Sequence, residues 1–379
     1  MAGIYLHIPF CARKCCYCDF VSFADQSRRA AYVRALLCEI DLAAERFPAR
    51  RYDTVFVGGG TPSLLPAEDM ERICEALRAR FTIAQGAEVT LECNPGSVDA
   101  GRLAAYRRAG INRLSFGLQS ANDALLRSIG RIHDYAQFEH GFHMAKQAGF
   151  SNINVDILYG LPGQSEADYL DTVARVAALL PTHISAYSLI VEEGTPLYGA
   201  VRAGETLLPD DDAVYDMQAA GRAALAALGY AQYEISNYAL AGQECRHNIN
   251  YWENGEYLGL GLAAHAAMVL AGWRRWNNTA DLEAYIAKTA RGELPIERMQ
   301  RIERKEEMFE CVMLGLRMTR GLSRAAFAAR FGQDALEAYP EAAEALRALG
   351  YLEVTQDALR LTEAGLDMQN SALLYFMED

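Results

Sequence analysis

Over residues 3–240 short apolar, β-branched runs alternate with longer stretches whose apolar residues recur every three or four positions. The runs at 4–9, 52–57, 88–93, 113–118, 152–158 and 183–188 predict six strands. The stretches at 28–47, 66–81 and 99–109 predict amphipathic helices between them. Strand-then-helix repetition with short links implies right-handed crossovers and a parallel sheet. The polar and glycine residues Cys11, Gly59, Glu92, Gln119, Asp156 and Tyr187 fall at or just past the ends of successive strands. In a βα barrel that end is the rim where ligands bind. Eight units are not evident, so the fold class is α/β, a partial, six-unit, TIM-like barrel over residues 1–240.

The pattern then changes. Residues 241–302, with clustered Gly, Trp and Asn, read as an irregular linker region. Residues 303–379 read as helices at 306–318, 323–331 and 335–349 followed by strands at 352–354 and 358–361, a C-terminal winged-helix-like α+β domain. This last segment carries eight Lys and Arg against fourteen Asp and Glu, a charge that phosphates repel. The whole chain, at −13, likewise excludes a general nucleic-acid binder. No apolar run is long enough to span a membrane. Nine cysteines without a signal peptide predict a reducing, cytoplasmic setting.

Composition leaves the chemistry open, and the cysteines narrow it. Cys11, Cys15 and Cys18 follow C-x3-C-x2-C on one loop. Zinc would want a fourth ligand, usually on a second C-x2-C knuckle, and none exists. A ferredoxin-type cube takes four thiolates. Three thiolates on a four-iron, four-sulfur cube leave one iron open, a corner that suits the amino and carboxylate groups of S-adenosylmethionine. The spacing resembles that of the radical S-adenosylmethionine superfamily. Cys16 abuts Cys15, so its side chain should diverge and not ligate. The other five cysteines read as small core residues.

On that resemblance Gly58-Gly59-Gly60-Thr61-Pro62 looks like a site for the methionine amine, with Gly59, Gly60 and Thr61 presenting backbone to the ligand. Glu92, Gln119, Asp156 and Arg131 form a plausible ring for its ribose and carboxylate. Tyr5 would pack against the nucleoside, and Tyr17 would shield the cluster.

Further strings narrow the resemblance. Ile8-Pro-Phe-Cys11, Asn94-Pro95, Gly117-x-Gln119-Ser120, Gly130-Arg131-x-His133 and Tyr159-Gly-Leu-Pro-Gly-Gln164 together resemble the oxygen-independent coproporphyrinogen III oxidase family. The oxidase branch implies radical decarboxylation of propionates, and a related radical methylase or heme-modifying enzyme of the same superfamily is a further alternative. The oxidase branch carries an N-terminal extension and a further cysteine two places after the third ligand; here ten residues precede Cys11, and that place holds Phe20. The heme-chaperone branch is marked by His-Asn-x-x-Tyr-Trp, matched by His247-Asn248-Ile249-Asn250-Tyr251-Trp252. That branch implies a protein that binds heme and delivers it to an acceptor hemoprotein, membrane-bound acceptors included, as a monomer or dimer. His247 would be the axial ligand, Tyr251 and Trp252 would face the porphyrin, and Arg246 would meet a propionate. His7 and His265 are rival ligands. Read without the resemblance, the string is equally a loop histidine holding local backbone, with aromatics filling core.

Overall fold

The computed structural model describes residues 1–378; Asp379, the last residue of the segment 303–379, lies outside them. Six strands follow the expected order: β1 (Ala2–Ile8), β2 (Arg51–Gly59), β3 (Thr82–Cys93), β4 (Arg113–Gln119), β5 (Asn152–Tyr159) and β6 (His183–Ser188). Each pairs in parallel with the next, from Gly3 opposite Thr54 through to Tyr159 opposite Ser188. The spaces between them hold the helices Arg29–Arg46, Ala67–Arg80 and Ala100–Arg108, within two residues of the predicted bounds.

Period-two alternation sorts these strands into two faces. Ile4, Leu6, Ile8, Val55, Val57, Leu114, Phe116, Val155 and Ile157 turn outward and are buried under the helices. The alternate positions, among them Thr54, Glu88, Thr90, Arg113, Ser115 and Asn154, are buried and polar. The apolar core therefore lies between sheet and helices, and the barrel interior is a polar chamber.

The sheet is wider than six strands. β7 (Ala231–Gln232) and β8 (Asn237–Ala239) add antiparallel strands beyond β6. β9 (Glu256–Gly261) adds a seventh parallel strand beside β1, and β10 (His265–Val269), β11 (Trp273–Asn278) and β12 (Ile296–Arg301) extend that side. The order β12-β11-β10-β9-β1-β2-β3-β4-β5-β6-β8-β7 is open, with unpaired ends at β12 and β7.

The stretch 241–302 is thus mostly ordered, a correction to the irregular reading. Two of the six residues of β9 are glycine, a residue depleted in strands. Gly259 is glycine because β10 crosses so closely that a Cβ there would lie 1.8 Å from the His265 carbonyl oxygen. Glu39 ties this edge to the first helix. Its carboxylate accepts from Gly261 N at 2.8 Å, Asn278 Nδ2 at 2.6 Å and the Tyr285 hydroxyl at 2.5 Å.

The C-terminal segment has its own core around Val312, Leu316, Phe327, Leu346 and Leu359. Its small sheet joins β13 (Leu322–Ser323), β14 (Leu352–Val354) and β15 (Ala358–Leu361), with β15 in the middle. The single helix expected over 335–349 is two, Ala335–Ala338 and Pro340–Ala348, because Pro340 cannot continue the first. Arg330 Nη1 donates to the Asn254 carbonyl at 2.8 Å, and Arg317 lies 4.4 Å over the Trp252 ring, so this segment grips the barrel's closed end.

Candidate functional site

The C-terminal ends of β1–β5 open into a cavity of about 500 Å³. Its wall includes Cys11, Cys15, Cys18 and Tyr17 from the loop after β1, and Gly59, Gly60 and Thr61 from the turn after β2. Glu92, Gln119, Arg131 and Asp156 complete it. Eleven of the fifteen residues singled out from the sequence therefore share one space.

Local geometry explains how they meet. After β1 the chain is pinned by Phe23 N to Pro9 O at 2.7 Å and Cys11 N to Phe23 O at 3.0 Å, which closes the cysteine loop on itself. Gly60 N and Thr61 N donate to Ile8 O and Phe10 O, both at 2.8 Å, so the glycine turn zips against that loop. Gly59 has φ +113°, and a Cβ there would stand 2.7 Å from the His7 ring, so both backbone and space require glycine. The Gly59 N–H donates to Glu92 Oε2 at 3.1 Å.

A register shift at Gly117/Gln119 bulges β4 against β5, and Gln119 takes φ +76°. A bulge re-aims a side chain, and backbone held in this region gathers at functional sites. Gln119 thereby reaches the cavity.

The thiols have donors aimed at them. Thr61 Oγ1 lies 3.7 Å from Cys11 Sγ, and Arg131 Nη1 lies 3.5 Å from Cys15 Sγ. Arg131 also donates to the Gly117 carbonyl. Burial pushes the Cys18 thiol up. Cys16 does not line the cavity; its Sγ turns to the Ser128 carbonyl at 3.7 Å. Among the described residues no three His, Cys, Asp or Glu side chains converge as around a single ion.

The carboxyls sit half-buried in the cavity wall. Asp156 accepts from Ser115 Oγ at 3.1 Å and Asn154 Nδ2 at 2.8 Å, and burial raises its pKa. Burial, with the Asp156 charge second, pushes Glu92 up to about 8. Glu92 therefore keeps its proton to higher pH than an ordinary carboxyl and Asp156 accepts from two polar side chains, so the pair offers both a donor and an acceptor.

Four expected residues lie elsewhere. Tyr5 does not line the cavity; its hydroxyl meets His7 Nδ1 at 3.0 Å, while Phe56, 6.3 Å away, does line it. His247 is 1% exposed on the helix Arg246–Trp252, which closes the opposite, N-terminal end of the barrel. Both its nitrogens are engaged, Nδ1 with Thr54 Oγ1 and Nε2 with the Tyr251 hydroxyl, each at 2.8 Å. Burial, with Arg113 second, lowers its pKa to about 3, so the ring is neutral. Tyr251 packs on Tyr257 at 4.7 Å, and Trp252 sits under Arg317. The expectation of an axial ligand at His247 thus meets a ring with both nitrogens engaged, beside a half-buried Tyr251 and a half-buried Trp252 whose Nε1 has no partner. Arg246 is exposed, and its Nη1 donates to the Gly86 carbonyl at 3.1 Å. His7 is buried with Nε2 on the Val21 carbonyl, while His265 is exposed on β10.

The wall residues that escaped the sequence reading include Asn94, Arg113 and Asn248. Asn94 and Asn248 sit inside strings already noted, but nothing local tells which member of a string faces inward.

An incomplete, open βα barrel with three loop cysteines and a glycine turn at its rim defines a radical S-adenosylmethionine-type protein. The description "Radical SAM superfamily" matches residues 5–176, and "HemN C-terminal domain" matches 302–368. The chain belongs to the heme chaperone HemW family. It is 36% identical to the heme chaperone HemW of Escherichia coli (strain K12), over 100% of this chain and 98% of that one. It is 34% identical to that of Bacillus subtilis (strain 168), over 100% and 99%. The solved structure of coproporphyrinogen III oxidase, HemN, from Escherichia coli shares the fold, with TM-score 0.85 at 23% identity over 99% of this chain and 89% of that one.

Proposed function

We propose that this chain binds heme and delivers it to acceptor hemoproteins, with a four-iron, four-sulfur cluster and S-adenosylmethionine held in the barrel mouth. One observation carries the cofactor half of this reading: the three spaced thiols, the glycine turn and the polar ring share one cavity. The donor set fits. Cys11, Cys15 and Cys18 would hold three irons of the cube, with Arg131 and Thr61 steadying the anionic sulfur. The backbone at Gly59, Gly60 and Thr61 would receive the methionine amine, and Glu92 with Asp156 the ribose hydroxyls. When bound, the pair would place a reducing cluster beside a sulfonium. The residues around it position the ligand and exclude water.

The heme half rests on full-length similarity to proteins named heme chaperones. The mouth suits a porphyrin better than the closed end. Phe20, 58% exposed, lines the cavity beside Arg13 and Lys14. An apolar ring and two cations match a flat dianionic ligand.

The test is an anaerobic titration of reconstituted chain with heme, with and without S-adenosylmethionine, followed by mixing with an apo-hemoprotein. Saturable binding and transfer are expected. Conversion of coproporphyrinogen III to protoporphyrinogen IX by the purified chain would overturn the reading in favour of the oxidase.

A further inference from the structure

Arg113 opens β4 at the closed end of the cavity. It is 2% exposed, yet it forms part of the cavity wall. A buried guanidinium is costly unless a carboxylate or several acceptors meet it. Here Nε is buried without a hydrogen-bond partner, and Arg113 makes no ion pair among the described residues.

The two nearby carboxylates are committed elsewhere. Glu88 accepts from Arg246 N at 3.0 Å and His247 N at 3.1 Å, with the Cys245 thiol at 3.5 Å. Asp156 is held by Ser115 and Asn154. Both act on Arg113 through space and neither touches it. The helix Arg246–Trp252 brings one side chain to the same chamber: Asn248, not His247. A guanidinium fork and a side-chain amide facing one space are a donor set for a planar oxyanion.

We propose that Arg113, with Asn248 beside it, anchors a second subsite at the closed end of the cavity, which takes the carboxylate of a ligand reaching inward past the cluster thiols. Arg131 serves the mouth; Arg113 serves the depth. The subsite rests on the functional reading above only in taking this cavity as a ligand site. The occupant is a propionate of heme, because the amino-acid end of S-adenosylmethionine is placed at the mouth; S-adenosylmethionine is carried through the test as the rival source, and a response of that pair alone would overturn the heme assignment.

The test uses full-length, anaerobically reconstituted chain and ligands with and without the group. Dissociation constants are measured for heme against heme dimethyl ester, and for S-adenosylmethionine against its decarboxylated form. Wild type, Arg113→Gln, Arg113→Lys and Asn248→Ala are compared. Arg113→Gln is expected to weaken heme by roughly 10- to 100-fold while leaving heme dimethyl ester within about twofold. Arg113→Lys, which keeps a point charge without the fork, falls between. The pair that responds identifies the source.

Equal losses for acid and analogue would mark Arg113 as structural and overturn the subsite, as would no loss in either pair. Should Arg113→Gln not fold, wild type decides alone: equal affinity for acid and analogue in both pairs overturns the proposal, and a preference of about tenfold or more that Asn248→Ala reduces supports it. Wild type binding neither heme nor S-adenosylmethionine would overturn both this subsite and the functional reading. Binding that is indifferent to Arg113 would overturn the subsite alone.

Discussion

The two ends of the barrel are built from the same strands and treat polar groups in opposite ways. At the mouth, Cys11, Cys15, Cys18, Gln119 and Arg131 face a cavity, and atoms such as Arg131 Nε and Asn94 Oδ1 lack a protein partner. At the closed end, Glu88, Thr54, His247 and Tyr251 satisfy one another around the helix Arg246–Trp252. An unfinished set of donors and acceptors is what a ligand completes, whereas a finished one stabilises and specifies the fold. The string His247-Asn248-x-x-Tyr251-Trp252 belongs mostly to the second kind, apart from Asn248 and two orphaned atoms, Asn250 Oδ1 and Trp252 Nε1.

The largest effect separating the ends is expected at the mouth. Replacing Cys11, Cys15 and Cys18 together by Ala should abolish the broad visible absorption of the reconstituted cluster and S-adenosylmethionine binding with it. The far-ultraviolet circular dichroism should stay near wild type. Retained absorption would break the assignment.

Next come the changes at the closed end, read as stability. Glu88→Gln removes a charge that holds two backbone amides, and His247→Ala leaves Thr54 and Tyr251 without partners. Each should cost about 2–4 kcal/mol in denaturant unfolding. Cluster absorption should persist, and heme affinity in His247→Ala should stay within about twofold of wild type. Selective loss of heme binding at intact stability would reverse the comparison and restore His247 as a ligand.

A smaller effect depends on pH. The folded chain raises Glu92 from 4.5 to about 8, mainly by burial, so folding favours the protonated acid. That contribution is complete below the unfolded pKa and is lost as pH rises through 8. Glu92→Gln removes the loss. The Tm of the ligand-free variant relative to wild type should therefore climb between about pH 5 and pH 9, by a few degrees. A flat difference would mean that Glu92 is ionised throughout. Cys16→Ala should do least, with cluster absorption unchanged and stability within about 1 kcal/mol.

Much of the mouth was legible because its residues interrupt a pattern. Glu92 and Asp156 are polar ends on apolar runs, and the cysteines have a fixed spacing on a short loop. The bulge that turns Gln119 inward leaves no trace in the residues, though Gln119 itself stood out. The closed end admitted two readings, a porphyrin site and local packing, for a physical reason. Imidazole, phenol and indole close together have the same composition whether they bind a porphyrin or fill a floor. Only the packing against Thr54, Phe56 and Tyr257 decides. Arg113 and Glu88 were not singled out, because nothing in sequence says that a helix 130 or more residues later will cover them. β9 was missed for its glycines, and the break at Pro340 was present in the sequence but outweighed by the helical periodicity on either side.

The central claim is that an open iron corner at the mouth receives the amino-acid end of S-adenosylmethionine. Electron-nuclear double resonance on the reduced chain, with ligand labelled at the amino nitrogen and the carboxyl carbon, addresses it most directly. Coupling of both labels to the cluster is expected in wild type and in His247→Ala. A reconstituted cluster with no coupling to either label, or stoichiometric zinc in place of iron on Cys11, Cys15 and Cys18, would contradict it.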